Sequence, residues 1–141
     1  MRCRRGCALS RTSLGLRSTS ESQFGRVDAA RVDKPWGYEL RWAITDRYVG
    51  KILHVRKGEA LSLQYHERKD EFQYVMSGEV EIDLGSSEHS MVKRRMGPGD
   101  TLRITPGTRH RLTALADTDI FEVSSPEMDD VVRLEDRYGR V

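Results

Sequence analysis

Apolar and polar residues alternate in short runs from residue 36 to residue 124, as they do in strands with one buried and one exposed face. The clearest run is Glu79–Leu84, in which every second residue is apolar. Comparable runs recur about every ten residues with Gly- and Pro-containing turns between them, which indicates an all-β sandwich or barrel. We expect a helix only at Met128–Arg137. The predicted strands are Tyr38–Trp42, Tyr48–Val55, Leu61–His66, Glu71–Met76, Glu79–Leu84, Ser90–Arg95, Thr101–Ile104, Arg109–Leu115 and Asp119–Ser124.

Residues 1–32 show neither the period of a helix nor that of a strand, and they are rich in Arg, Ser, Gly and Thr. We therefore expect a mostly disordered tail there. Residues 33–141 are long enough for one domain. The first 20 residues contain no acid, which also fits an organellar transit peptide. A wrongly assigned start codon or a plain tail explains this composition equally well. Cys3 and Cys7 both lie in the tail, and we expect free thiols, because a C-x3-C pair without further Cys or His nearby is a poor zinc signal.

The charge distribution and the length of the apolar runs argue against nucleic-acid and membrane partners. Residues 1–31 hold seven Arg and two acids and carry +5, whereas the remaining 17 basic and 20 acidic residues carry −3. A mildly acidic domain lacks the basic patch that nucleic-acid binding requires. No apolar run approaches the roughly 20 residues of a membrane span. We therefore expect a cytoplasmic protein, or an organellar one if the tail directs import, that acts on a small molecule.

Polar side chains that suit a metal ion lie on two consecutive predicted strands. Gln64 and His66 share one face of the first strand, because side chains alternate with period two, and Glu71 begins the second strand after a charged turn. A later strand and tight turn are followed by His110. Two imidazole nitrogens and two oxygens are a suitable ligand set for a borderline divalent cation. The other histidines of the domain, His54 and His89, have no such neighbours in the sequence.

The spacing of these residues resembles the two motifs of the cupin superfamily, G-x5-H-x-H-x3,4-E-x6-G and G-x5-P-x-G-x2-H. The matching positions are Gly58, Gln64, His66, Glu71 and Gly78 for the first motif and Gly99, Thr105, Gly107 and His110 for the second. Gln64 stands where the motif has its first histidine, and Thr105 where it has proline. The resemblance implies a jelly-roll cupin barrel, that is, a double-stranded β-helix.

Within the superfamily, the chain is most similar to the C-terminal cupin domain of type II mannose-6-phosphate isomerases. The resemblance is carried by Ser62–His66, by Lys34–Gly37 and by Val132–Arg140, and it covers about residues 33 to 140. It implies one divalent metal ion, most plausibly zinc, with iron(II), manganese or nickel also compatible. The ligands it implies are Gln64, His66, Glu71 and His110.

Three basic residues are candidates for catalysis or substrate binding. Lys51 shares its strand face with apolar residues and so could point into the barrel, where type II isomerases also place a lysine; alternatively it reaches solvent at the strand end. Arg103 could clamp an anion from inside or lie outside as a surface charge. Arg137, together with Arg140, could close over the cavity mouth or remain in a solvated tail.

Three functions remain open. The first is the isomerisation of a hexose phosphate, most plausibly mannose 6-phosphate to fructose 6-phosphate, in which the metal acts as a Lewis acid and stabilises the enediolate. The general base would be Lys51, if burial lowers its pKa, or a hydroxide on the metal. The second is a metal-dependent oxygenase or lyase that acts on a small organic acid. The third is a sugar-binding barrel without catalysis. The resemblance also implies a homodimer.

Overall fold

The computed structural model describes residues 25–141, which form eleven strands and no helix. The prediction of an all-β fold is confirmed. None of these residues belongs to a helix that is long and apolar enough to cross a membrane. The strands are β1 (Ala30–Lys34), β2 (Gly37–Ile44), β3 (Val49–Val55), β4 (Leu63–Tyr65), β5 (Glu71–Ser77), β6 (Val80–Gly85), β7 (Val92–Met96), β8 (Thr101–Ile104), β9 (Arg109–Ala114), β10 (Thr118–Ser124) and β11 (Val132–Glu135).

The strands form two antiparallel sheets that face each other across one core. The order in the six-stranded sheet is β1-β2-β3-β10-β5-β8, and the order in the five-stranded sheet is β11-β4-β9-β6-β7. Strands that are distant in sequence, such as β3 and β10 or β4 and β9, are therefore neighbours. This connectivity is that of a double-stranded β-helix, the jelly roll that the sequence predicted.

The inward positions change from apolar to polar along the strands of the six-stranded sheet. On β3, Leu53 is buried in the apolar core, whereas Lys51, two residues earlier, is buried among polar groups. On β10, Ile120 is likewise a core residue and Glu122 is a buried acid. The register pairs Leu53 with Ile120 and Lys51 with Glu122. One end of the barrel is therefore a packed apolar core, and the other end is a polar cavity.

Two predictions about local structure are corrected. Met128–Arg137 was expected to be helical, but its residues Val132–Glu135 form β11 and pair with β4. The alternation Val-Arg-Leu-Glu suits a strand edge better than a helix, and β4 supplies the partner. The expected tail reached residue 32, whereas β1 begins at Ala30 and pairs with β2. The part of the predicted tail before residue 25 and both cysteines lie outside the described residues.

Gly78, the last glycine of the first motif, has a backbone conformation and a setting that exclude other residues. Its φ is +87°, and a Cβ there would lie 2.4 Å from the carbonyl oxygen of Asp117. Gly58, the first glycine of the same motif, has a φ of +83°, but a Cβ there would meet nothing within 4 Å. The two positions thus share the left-handed backbone and differ in the space beside it.

This difference predicts unequal costs for the same substitution. Gly58→Ala should lower the free energy of unfolding by about 1–2 kcal/mol, the cost of a left-handed residue with a Cβ. Gly78→Ala should lower it by roughly 3 kcal/mol or more, because backbone atoms must also move. Urea unfolding followed by circular dichroism would measure both values. Equal losses for the two variants would contradict the packing argument at Gly78.

Candidate metal centre

Three buried side chains with ligating atoms converge at the polar end of the barrel. His66 follows β4, Glu71 begins β5 and His110 lies on β9; they are 3%, 2% and 5% exposed. The Nε2 atoms of His66 and His110 each lie 3.6 Å from a carboxylate oxygen of Glu71. All three potential ligand atoms lie within 4.8 Å of one another. This cluster can therefore bind a metal ion from one side of the cavity.

The hydrogen bonds of both histidines direct a free lone pair at the cluster. The Nδ1 of His66 donates to the backbone oxygen of Asp130, and the Nδ1 of His110 donates to that of Thr108 at 2.9 Å. A carbonyl oxygen only accepts, so Nδ1 carries the hydrogen and Nε2 is unprotonated in the neutral ring. Both Nε2 atoms are buried without a hydrogen-bond partner. A divalent cation would compensate this cost, so the residues present fit a metal.

The charge state of His66 also suits a ligand. Its burial, and after that the positive charge of Lys69, lower the pKa of His66 from 6.5 to about 4. The imidazole is therefore neutral at neutral pH, as a metal ligand must be.

Gln64 lies beside this cluster through its strand pairing. It is the register partner of His110 on β9, and its side chain lines the same cavity. The hydroxyl of Ser62 donates to its Oε1 at 2.7 Å, which orients the amide oxygen. The structure thus brings together all four residues of the predicted ligand set, and the coordination itself remains a prediction.

A buried lysine that the sequence analysis missed supports Glu71. The ammonium of Lys69 contacts Oε2 of Glu71 and lies 3.0 Å from Oε1 of Glu122. Burial alone would lower the pKa of Lys69, but the carboxylates of Glu122 and Glu71 raise it above its usual value. Gln73 donates to Oε1 of Glu71 at 3.2 Å and so occupies its other oxygen. Glu71 is thereby held in position from behind by two donors.

Asp130 ties the loop between His66 and Glu71 to the C-terminal segment. Its carboxylate accepts the backbone N–H groups of Glu67, Arg68 and Lys69 at 2.7–3.0 Å. These bonds, that of Glu67 above all, lower the pKa of Asp130 to about 2. Because its backbone oxygen also accepts from His66, one residue positions both a histidine and the loop that leads to the glutamate.

Lys51 points into the cavity and does not reach solvent at the strand end, the other position that its sequence pattern allowed. It is 7% exposed, and its ammonium lies 3.4 Å from Oε2 of Glu39. Arg41 donates to the same oxygen at 3.0 Å, and Lys34 lies 3.8 Å from Oε1. Burial alone would raise the pKa of Glu39, but Lys51 and Lys34 lower it. Glu39 is thus a carboxylate among three cations, one of which is Lys51.

The structure does not place Arg103 or Arg137 in the cavity. Ile104 takes the inward position on β8, so Arg103 faces outward and is 55% exposed, with bonds of 3.1 and 2.8 Å to the carboxylate of Asp70. The inward anion clamp is therefore wrong. The exposed Arg137 donates to the backbone oxygen of Gly58 at 2.8 Å and anchors the C-terminal run outside the cavity. Arg137 is not among the residues that line the cavity, and its contact with substrate stays a prediction.

The cavity has a volume of about 460 Å³, which is within the usual range of small-molecule sites, roughly 300–1,000 Å³. Basic side chains outnumber acidic ones on its walls. The basic ones are Lys34, Arg41, Lys51, Lys69, Arg133 and Arg140, and the acidic ones are Glu39, Glu71, Glu122 and Asp129. The cavity therefore favours an anionic ligand, and a divalent cation would increase this preference. Arg133 was not predicted as a cavity residue, because its segment was expected to form a helix rather than β11.

The fold and the cluster together define a jelly-roll barrel with a candidate metal centre in its interior. Within that class the chain belongs to the cupin family, since the family model described as a cupin domain matches residues 51–123.

Two curated relatives extend the similarity beyond that range. The chain is 34% identical over 115 residues to the mannose-1-phosphate guanylyltransferase ManC of Salmonella typhimurium, which covers 78% of this chain and 23% of the relative. It is 32% identical over 124 residues to the xanthan biosynthesis protein XanB of Xanthomonas campestris, which covers 82% and 26%. The chain thus spans about a quarter of the length of these relatives. Among solved structures, KdgF from Halomonas sp. superimposes with a TM-score of 0.61 at 27% identity, over 71% of this chain and 90% of KdgF.

The cluster predicts that metal retention depends on its two histidines. His66→Ala and His110→Ala should each weaken zinc binding by at least roughly 100-fold, the upper end of what loss of a merely supporting residue costs. Elemental analysis after dialysis would measure the retained zinc, and circular dichroism would verify the fold. His89→Ala is the matched control, because its side chain is 87% exposed. Full zinc content in both cavity variants would show that the site is assigned to the wrong residues.

Proposed function

We propose that this chain is a metal-dependent sugar-phosphate isomerase that converts mannose 6-phosphate to fructose 6-phosphate. The observation that carries this proposal is the presence, in one cavity, of two orphaned imidazole nitrogens facing a glutamate and of an excess of cationic side chains. The first feature suits a Lewis-acid metal, and the second suits a phosphorylated substrate. The cavity volume of about 460 Å³ suits a molecule of hexose size.

In this proposal Gln64, His66, Glu71 and His110 would hold the metal, with zinc preferred over iron(II), manganese or nickel. When bound, the metal would polarise the sugar oxygens as a Lewis acid. Lys69 and Gln73 would keep Glu71 oriented toward the cavity, and the two backbone carbonyls would keep both imidazoles in the ligating tautomer.

Aldose–ketose isomerisation also needs a group that moves a proton between two adjacent carbons. Lys51 is the residue we propose for proton transfer, because it is buried in the cavity wall. The carboxylate of Glu39, 3.4 Å from its ammonium, would take up and return the proton. Burial excludes bulk water from this pair, which protects a reactive intermediate from side reactions.

The relatives support the substrate class more than the reaction. ManC carries mannose 1-phosphate in its name, and 78% of this chain matches it. Because the match covers 23% of ManC, the activity in that name does not transfer to this chain directly. The isomerase reaction rests on the resemblance of the ligand set and of the C-terminal run Val132–Arg140.

A small organic acid is the second candidate substrate, for a metal-dependent oxygenase or lyase. The cationic cavity wall favours it, because a carboxylate, like a phosphate, presents negatively charged oxygens that arginine and lysine bind. A binding barrel without catalysis would use the same wall. Turnover and its products separate these candidates.

The proposal predicts metal-dependent turnover that requires Lys51. Loaded with zinc, the full chain should form fructose 6-phosphate from mannose 6-phosphate in a coupled assay, and chelation should abolish this activity. Lys51→Ala should lower kcat by roughly 100-fold or more, as loss of an acid–base group does, with zinc content unchanged. Lys57→Ala, at an exposed turn, is the matched control.

Parallel assays decide between the candidates. No fructose 6-phosphate with zinc, iron(II), manganese or nickel would contradict the isomerase. Oxygen consumption or decarboxylation of a small organic acid would then support the second candidate, and tight binding of a sugar without turnover would support the third.

We further propose that the chain forms a homodimer through the outer face of the six-stranded sheet. That face exposes five large apolar side chains, which are Trp42, Phe72, Tyr74, Met76 and Val123. Exposed apolar patches of this kind are typical of interfaces. At its border Arg103 is paired with Asp70 within the chain, and the Nδ1 of His54 is hydrogen-bonded to Asp119, so these groups already have partners.

A charge on this face should prevent the dimer. Tyr74→Arg introduces a cation among these apolar side chains, on β5, and should convert a dimer to a monomer in sedimentation-velocity analysis. Glu88→Arg, in the exposed loop after β6, is the control and should leave the association state unchanged. A monomeric parent chain at micromolar concentration would overturn the proposal.

A further inference from the structure

Arg133 lies in the cavity wall and forms no ion pair with any of the described residues 25–141. It lies on β11, lines the cavity, and its Nε is buried without a hydrogen-bond partner. A buried donor of a charged group without a partner is costly, and a ligand or an ordered water is among the explanations for such a group in a native structure. The guanidinium therefore has a donor that is available to a ligand in the cavity.

Arg133 differs in this respect from the other cations of the cavity. Each of the other five basic residues contacts a carboxylate: Lys34, Arg41 and Lys51 contact Glu39, Lys69 contacts Glu71 and Glu122, and Arg140 contacts Asp136. No carboxylate within residues 25–141 pairs with Arg133. The positive charge available to an anionic ligand is thus concentrated at this one residue.

The strand register places Arg133 at a useful distance from the candidate metal centre. Arg133 on β11 pairs with Gln64 on β4, and Gln64 pairs with His110 on β9. The three residues form one row across the sheet, so the backbones of the outer two are two strand spacings, roughly 10 Å, apart. A ligand that spans the cavity from the candidate metal centre to Arg133 is therefore about as long as an extended six-carbon sugar with a terminal phosphate.

We propose that Arg133 binds the oxyanion end of the substrate and determines its specificity for a charged ligand. The planar guanidinium would donate two parallel hydrogen bonds to two oxygens of the anion, and Nε would be one of the donors. This inference rests on the proposed function for the identity of that anion, a sugar phosphate. A carboxylate presents the same chemistry, so the test separates the two sources.

The test compares four ligands on the zinc-loaded full chain by isothermal titration calorimetry: mannose 6-phosphate, inorganic phosphate, succinate and uncharged mannose. Arg133→Gln should weaken binding of mannose 6-phosphate and of inorganic phosphate by about 10–100-fold, the usual value of a charge-assisted bond pair. Binding of mannose and the zinc content should stay unchanged. Arg133→Lys should recover part of the loss, because it keeps the charge without the fork. Arg103→Gln removes an arginine of the outer surface and should change none of these affinities.

The outcomes distinguish this inference from the proposed function. Unchanged affinity for phosphate and succinate alike in Arg133→Gln, or an equal loss for uncharged mannose, would overturn the role of Arg133 even if the chain is an isomerase. Selective loss of phosphate affinity would support that role even if no fructose 6-phosphate forms. A loss confined to succinate would support Arg133 as the oxyanion residue and contradict the sugar phosphate as its ligand.

Discussion

The ammonium of Lys69 between Glu71 and Glu122 is the interaction on which the polar half of the barrel depends. Two carboxylates buried at the end of a β-sandwich would repel each other and lose hydration, which costs several kcal/mol for each unpaired charge. One lysine contacts both and keeps its proton because they raise its pKa. Glu71 can therefore lie buried, at 2% exposure, while it faces two histidines. The apolar core at the other end needs no such arrangement, and it provides the rigid frame in which these charges are held.

The C-terminal segment helps to position the residues of the candidate metal centre. Asp130 binds the loop of residues 67–69 through its carboxylate and His66 through its carbonyl oxygen, and β11 follows directly and pairs with β4. The last strand thereby covers one side of the cavity and brings Arg133 into its wall. The same segment therefore determines the tautomer of a candidate ligand histidine, His66, and contributes Arg133 to the cavity wall.

The sequence predicted what depends on local alternation and missed what depends on distant partners. Period-two patterns identified nine strands and the face that Lys51 shares with Leu53, because strand parity is a local property. The parity of Arg103 was equally clear, but it could not say which face of β8 was inside; Ile104 decides that by packing in the core. β11 was missed because its partner β4 lies about 70 residues earlier, and a four-residue strand without its partner has no distinctive pattern. The ion pair between Lys69 and Glu122 was not predicted for a related reason. The two charges are 53 residues apart in sequence, and only the fold brings them together.

The pairing of charges also explains why a metal would prepare the cavity for an anion. Glu122 balances Lys69, and Glu39 lies among Lys34, Arg41 and Lys51, so most of the cavity charge is compensated locally. A divalent cation held by one carboxylate, two neutral imidazoles and an amide keeps a net positive charge, because Glu71 would be its only anionic ligand among the four. Coulomb interactions in such a desolvated site are stronger than in water, so a bound metal at one end and the guanidinium of Arg133 at the other would both attract an entering anion. Metal loading and anion binding should therefore favour each other energetically, although no residue ligates both.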